Sequence, residues 1–302
     1  MKLVMLGTSS GTPTKDRNVS ALAVQFPGRW LLFDCGEGTQ YRLMQTMLKP
    51  GQLDAVYLTH LHGDHVYGLP GLLGTLSLQH REQPLVVYGP PGLRELLGAV
   101  LRYSYLKLSF ELKLVEVESG LVSRGDGYSV FCSKLDHRVT DYGYCVVEDD
   151  KPGKFNLERA KQLGIPAGPL YRQLQLGYDV TLADGRLIRS SEVVGEKRPG
   201  RRLVYCTDTR PCSAAVELAY KANLLIHEAT YADDMAHEAR RRGHSTARQA
   251  ARIAAEAGVR KLLITHFSPR YLDVTPLLSE ARSVFAATDA ACDLMELEVE
   301  PW

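Results

Sequence analysis

The chain has only six cysteines in 302 residues, and no two of them form a C-x-x-C pair. Cys35, Cys132, Cys145, Cys206, Cys212 and Cys292 lie scattered along it. Nothing in that spacing demands thiolate ligation, and it reads as reduced thiols in a cytoplasmic protein. Charge of one sign is also lacking. The formal net charge is +1, so no global field attracts a polyanion, and any nucleic-acid affinity must come from local basic patches. No apolar run approaches membrane-spanning length, and the amino-terminal stretch Met1–Gly7 is too short for a signal peptide. Heptads, internal repeats and low-complexity tails are absent. What remains is a chain of 45% hydrophobic residues, enough for one large α/β domain or two smaller ones.

Against that neutral background, residues 60–65 stand out as His60-Leu61-His62-Gly63-Asp64-His65. Three imidazoles and a carboxylate within six positions suit a transition-metal site. The motif follows Ala55–Thr59, an apolar run that reads as a buried strand. Ligands placed where a strand leaves the core are held rigidly. A metal at such a place makes water a nucleophile at neutral pH, by lowering its pKa from about 15.7 toward about 7. The chain therefore reads as a hydrolase.

The first third of the chain alternates strand candidates with glycine turns: Leu3–Leu6, Ala21–Phe26 and Trp30–Phe33, the last two joined by Pro27-Gly28-Arg29. Helical spacing is predicted over Thr39–Leu48, Val66–Gln79 and Pro90–Tyr103. Further strands are predicted at Leu85–Tyr88 and Glu111–Val117, with Tyr128–Ser133 and Tyr142–Val147 flanking His137. Residues 149–200 differ in character, because glycine, proline and charge dominate and apolar runs are short. They read as an extended arm or a long linker. The regular pattern resumes with strands at Leu203–Cys206, Leu224–Ile226 and Lys261–Ile264, separated by helices at Ser213–Lys221 and Thr246–Glu256. Alternating strand and helix argues for an α/β fold.

Ligands in open α/β sheets collect beyond the carboxyl ends of strands. Three of these strands stop just before a metal-type side chain, at His60, Asp208 and His266. With His62, Asp64, His65 and His137, the inventory reaches seven, too many for one tetrahedral zinc. It fits two Zn²⁺ per chain sharing a bridging carboxylate. His60, His62, His137 and Asp208 would hold one, and Asp64, His65, His266 and Asp208 the other. His244 stands at the start of a helical pattern that Ser245 or Thr246 would cap. Neither metal needs it, so it is a candidate proton donor to a leaving oxygen, with Glu228 orienting it. His80 and His237 have no such context.

Assembled, these residues resemble the ribonuclease Z family of the metallo-β-lactamase superfamily, over nearly the whole length. The His-x-His-x-Asp-His run at 60–65 carries the superfamily layer. Narrower matches are Pro13-Thr14-Lys15-Asp16-Arg17-Asn18, Phe33–Gln40, His227-Glu228-Ala229-Thr230, Gly243–Thr246 and Thr265–Tyr271. The resemblance implies a single αββα sandwich domain over residues 1–302, with 149–197 inserted as a flexible arm that grips tRNA. Gly168-Pro169-Leu170 is the part of the arm that looks most like the family's. It also implies the short form of the enzyme, working as a homodimer, with the arm of one chain serving the site of the other. The implied reaction is cleavage of precursor tRNA 3′ of the discriminator base, leaving a 3′-hydroxyl. In that reaction Asp64 would orient or deprotonate the attacking water.

Basic residues cluster locally: Lys15 and Arg17; Lys197, Arg198, Arg201 and Arg202; Arg240, Arg241 and Arg242. Such clamps suit a folded RNA contacted at separated points. Lys15, Arg17, Gly168 and Pro169 are the candidate RNA-binding residues. Two other functions fit parts of the pattern. A related zinc phosphodiesterase or arylsulfatase-type hydrolase acting on small molecules would have no use for the arm. A silent RNA-binding subunit would have no use for an intact ligand set.

Overall fold

The computed structural model describes residues 1–302. Its body comprises Met1–Val147 and Arg201–Trp302. One seven-stranded sheet holds β1 (Lys2–Gly7), β2 (Ala21–Phe26), β3 (Arg29–Phe33), β4 (Leu53–Tyr57), β5 (Leu85–Gly89), β6 (Leu112–Glu116) and, beyond β1, β16 (Glu296–Glu298). The other runs from β7 (Gly120–Gly125) through β8 (Tyr128–Lys134), β9 (Tyr142–Glu148), β12 (Arg202–Cys206), β13 (Leu224–Glu228) and β14 (Leu262–Thr265) to β15 (Thr288–Ala290). Period-two alternation sends successive residues to opposite faces. Leu31 and Phe33 of β3, with Leu224 and Ile226 of β13, point into one apolar core shared by the two sheets.

Residues of the other parity pack outward against helices. Trp30, Leu32 and Val56 meet α1 (Thr39–Leu43), α3 (Leu69–Leu78) and α4 (Leu93–Tyr103). Val204, Leu225 and Ile264 meet α7 (Ser213–Ala219), α9 (Ala247–Ala257) and α10 (Thr275–Arg282). The alanines of α9 leave little bulk between helix and sheet, and Thr246 starts it with a capping box to Gln249. The body is thus an αββα sandwich. β3, β4, β5 and β6 are parallel, as are β12, β13, β14 and β15. Their carboxyl ends bring the following loops to shared edges.

Two predicted helices are shorter than their patterns. The run from Thr39 stops at Leu43, and Met44 and Met47 beyond it are 81% and 89% exposed. The Val66–Gln79 run is broken into α2 (Gly63–Val66) and α3 at Gly68. A Cβ there would lie 2.0 Å from the Gly36 carbonyl oxygen, so close backbone contact sets the break. Unread in the sequence were β7, β15, β16, α10 and α8 (Ala236–Arg242).

Residues Glu148–Gly200 form a second compact unit. It carries regular structure of its own, so it is not a bare linker. It holds α5 (Leu157–Gln162), α6 (Pro169–Gln175) and an antiparallel pair, β10 (Val180–Thr181) with β11 (Leu187–Ile188). Ala160, Ile165, Leu174, Val180, Leu182, Ile188 and Val193 make its own small apolar cluster. No helix of the protein is long and apolar enough to cross a membrane.

Candidate active site

The site is built at the strand ends of the body. His60 follows β4, Asp208 follows β12, His266 follows β14, and His137 lies in the loop that enters β9. Three strand-end residues adopt left-handed backbone: Asp34 (φ 56°), Asp208 (φ 38°) and His266 (φ 59°). Such backbone costs about 1–3 kcal/mol per residue and concentrates at functional sites. It turns the chain sharply enough to aim each side chain along the sheet edge.

All seven predicted ligands meet. Donor atoms of His60, His62, His137 and Asp208 lie within 4.8 Å of one another, as do those of Asp64, His65 and His266. In the first group, His62 Nδ1 is 2.9 Å from His60 Nε2 and 3.4 Å from His137 Nε2. Asp208 Oδ2 is 3.6 Å from His60 Nε2 and 3.9 Å from His137 Nε2. In the second group, Asp208 presents its other oxygen, Oδ1, at 3.3 Å from His65 Nε2 and 3.0 Å from His266 Nε2. Asp64 Oδ2 is 3.4 Å and 3.6 Å from those two nitrogens. A tetrahedron with metal–ligand bonds of about 2.0–2.2 Å has edges of about 3.3–3.6 Å. The separations centre on that scale, and Asp208 places one carboxylate oxygen beside each group.

The surrounding hydrogen bonds explain why these atoms need a cation. His137 Nδ1 donates to the Gly243 carbonyl (2.8 Å) and His65 Nδ1 to Asp34 Oδ2 (2.7 Å). Thr59 Oγ1 donates to Asp34, so it accepts from His60 Nδ1 (3.0 Å), which also lies 3.3 Å from Asp141 Oδ1. Thr230 Oγ1 donates to Glu228 and accepts from His266 Nδ1 (2.9 Å). In these four rings the Nδ1 proton is committed, so Nε2 turns a lone pair inward, whereas His62 faces the cluster through Nδ1. Lone pairs that converge at 3–4 Å repel unless positive charge sits among them. His65 Nε2, His266 Nε2 and Asp208 Oδ1 are buried and have no hydrogen-bond partner. The donor set fits a metal pair.

The electrostatics agree. Burial, reinforced by His65, pushes the His60 ring down to about 3, which keeps it a neutral ligand. Burial also opposes charge on His266, yet Asp208 and Asp64 lift it to about 10. His65 is likewise held well above its ordinary range by Asp208, Asp34 and Asp64, against the effect of burial. The crowded carboxylates call for positive charge, and metal ions would supply it.

His244 lies beside this cluster, with a ring nitrogen within 4.8 Å of donor atoms of Asp208 and His266. Its Nδ1 is 2.9 Å from Glu228 Oε1, and its Nε2 makes no hydrogen bond. Glu228 is fully buried. Its Oε1 also accepts from Thr209 N (2.8 Å) and its Oε2 from Thr230 N (3.2 Å). Burial opposes protonation of His244, but Glu228 and Asp208 outweigh it and raise its pKa.

The candidate RNA-binding residues divide. Lys15 is exposed and unpaired. Arg17 instead donates from Nη2 to the Tyr271 carbonyl (2.7 Å), pinning its loop. The basic clusters partly dissolve in the fold. Arg201 reaches Glu298 and the Val299 carbonyl, and both Arg241 and Arg242 pair with Glu238. Gly168 and Pro169 lie in the second unit, where Gly168 (φ 134°) precedes Pro169 at the first position of α6. Sequence reasoning missed Asp141, Thr59 and Thr230, and assigned Asp34 no role. Their one signal is position, beside a ligand at the end or start of an apolar strand.

Two facing sheets with a His/Asp cluster at their shared edge define a metal-dependent hydrolase of the metallo-β-lactamase fold. The profile of the Beta-lactamase superfamily domain matches residues 187–267, and that of Anti-Pycsar protein Apyc1 matches residues 1–114. The chain is 48% identical to ribonuclease Z of Trichodesmium erythraeum, over 100% of this chain and 96% of that one. It is 47% identical to ribonuclease Z of Brevibacillus brevis, over 99% and 97%. The crystal structure of human tRNase Z, short form, superimposes with a TM-score of 0.71 at 29% identity, covering 99% of this chain and 100% of that one. The metallo-β-lactamase-fold protein YhfI of Bacillus subtilis shares the fold, with a TM-score of 0.71 at 21% identity. The chain belongs to the ribonuclease Z family.

Proposed function

We propose that the chain is an endoribonuclease that removes the 3′ trailer of precursor tRNA by cutting just 3′ of the discriminator base, leaving a 3′-hydroxyl. The observation that carries this reading is the convergence of seven donors in a chain that matches ribonuclease Z over its full length. His60, His62, His137 and Asp208 would hold one Zn²⁺, and Asp64, His65, His266 and Asp208 a second. When bound, the pair supplies Lewis acidity: activation of a water nucleophile and neutralisation of charge on the phosphoryl oxygens. Asp64 would also orient the attacking water, and its Oδ2 is held by the Gly11 amide at 2.7 Å. His244 gives its proton to the leaving 3′-oxygen from Nε2. Glu228 holds the ring through Nδ1 and favours the imidazolium.

Residues 149–197 of the second unit bind RNA remote from the cut, through backbone at Gly168-Pro169 and side chains such as Lys151, Lys154 and Arg172. The working form is a cytoplasmic homodimer in which the arm of one chain serves the site of the other. Support for the dimer is the apolar exposure around α1 and α3, where Tyr41, Met44, Met47, Tyr67 and Leu78 are all exposed. The test is incubation of zinc-loaded protein with a precursor tRNA and, separately, with a small phosphodiester, mapping the RNA end. A new 3′-hydroxyl at the discriminator base is expected. Hydrolysis of the small diester alone would favour a small-molecule phosphodiesterase, and RNA binding without cleavage a silent subunit.

A further inference from the structure

The loop from Thr8 to Ser20, between β1 and β2, carries Lys15 at its tip. Lys15 makes no ion pair or hydrogen bond, so only the backbone of the loop determines where its charge sits. The outgoing leg is well anchored. Phe267 N donates to Thr8 O (2.8 Å), Ser10 N to Phe267 O (3.0 Å) and Gly11 N to Asp64 Oδ2 (2.7 Å). The returning leg is held by Arg17 Nη2 on Tyr271 O (2.7 Å), by Arg42 Nη2 at 3.5 Å from Asp16 O, and at the base of the loop, where Thr8 N and Ser9 N both donate to Asn18 O (2.9 and 2.8 Å).

A carboxylate from the far end of the chain closes that base. Asp293 Oδ1 accepts from Thr8 Oγ1 (2.7 Å) on one leg, and Oδ2 accepts from Asn18 N (2.7 Å) on the other. Arg42 of α1 balances the charge, with Nη2 at 3.1 Å from Oδ2. The Asp293 side chain is only 5% exposed, so these charge-assisted bonds are shielded from water. Removing it would leave a buried hydroxyl, a backbone amide and a guanidinium without their shared acceptor. The Arg17 tie to Tyr271 O and the local Thr14–Arg17 turn would remain, so the loop would loosen at its base without unfolding.

We propose that Asp293 is a positioning residue for RNA. It clamps the two legs of the 8–18 loop and thereby fixes Lys15 for a phosphate of the substrate. This rests on the reading that Lys15 meets RNA. Asp64 keeps its anchor through the outgoing leg, so the effect falls on substrate binding and spares the chemistry.

The test uses zinc-loaded full-length protein and compares wild type with Asp293→Ala, Thr8→Val and Lys15→Ala. In Asp293→Ala, tryptic cleavage after Lys15, followed by mass spectrometry, should accelerate about tenfold, because only an opened loop fits a protease. KM for precursor tRNA should rise about five- to tenfold with kcat within about twofold, and hydrolysis of bis(p-nitrophenyl) phosphate should change less than about twofold. Thr8→Val, which removes one donor, should move the same readings less. Adding Asp293→Ala to Lys15→Ala should raise KM no further, since one residue acts through the other. A folded Asp293→Ala with unchanged KM and unchanged proteolysis overturns the proposal. So do equal losses on both substrates, or additive effects with Lys15→Ala. If Asp293→Ala does not fold, Thr8→Val decides alone, and unchanged proteolysis and KM there overturn it. Wild-type protein that does not cut precursor tRNA would defeat the functional reading, whereas the tryptic comparison still judges the clamp.

Discussion

The body and the inserted unit are built in different ways from the same chain. In the body, three apolar clusters surround a polar site in which ligand rings are held from behind: Asp34 behind His65, Thr230 behind His266, Gly243 behind His137. In Glu148–Gly200, seven buried side chains support two short helices and a two-stranded ribbon, and the glycines at 168, 177 and 185 have positive φ with open space around them. Chemistry requires atoms placed within tenths of an ångström, whereas gripping a folded RNA requires only a surface of the right shape. The difference predicts that damage to the body acts on turnover, and damage to the inserted unit acts on binding.

The largest effect expected is at Asp208, the proposed shared ligand. Asp208→Ala should abolish turnover on both precursor tRNA and a small diester. Zinc content should fall from about two per chain to about one or none by elemental analysis. Wild-type protein that never exceeds one transition metal under saturating zinc would remove the dinuclear assignment. Next is His244→Ala, expected to lower kcat on tRNA by about 10²–10⁴-fold while metal content and RNA affinity hold. Glu228→Gln should fall short of that loss, because the ring remains but its imidazolium is less favoured. Unchanged turnover in His244→Ala, with the chemical step shown to be limiting, would take His244 out of the mechanism.

Stability variants sharpen the contrast. Ile226 and Leu174 are both fully buried, one in the core between the sheets and one in the inserted unit. Either change to alanine should cost about 2–5 kcal/mol where it acts. Ile226→Ala should lower the melting temperature of the body and of the activity on both substrates. Leu174→Ala should open residues 148–200 to proteolysis and leave small-diester hydrolysis intact. Equal effects on the two activities would argue against separate roles. The smallest effect concerns thiols. Burial pushes Cys35 up to about 12 and Cys132 and Cys145 up to about 11. Native labelling at pH 8 should reach only exposed Cys292 and half-buried Cys212. No cysteine lies within 148–200, so a labelling pattern that changes when that unit is replaced would reveal damage to the body.

Much of the site was legible because ligands follow apolar strands. The runs before His60, Asp208 and His266 end within two residues of the ends of β4, β12 and β14, and residue type plus position were enough. Asp141 was not legible. It is one carboxylate among many, and only folding brings it to 3.3 Å from His60 Nδ1. Helix lengths failed where tertiary contact overrode local pattern: at Gly68, where the backbone of Gly36 leaves no room for a side chain, and after Leu43, where the methionines face outward. Structure within 149–200 was hidden because α5 and α6 are six and seven residues long, shorter than periodicity can register.

The division of labour is tested most directly by replacing residues 149–197 with a short Gly-Ser linker, loading the variant with zinc, and measuring kcat and KM on both substrates. The account predicts the wild-type zinc content, small-diester hydrolysis within about twofold of wild type, and a KM for precursor tRNA raised by at least about tenfold. Unchanged tRNA affinity, or loss of both activities in a folded and zinc-loaded variant, would contradict it.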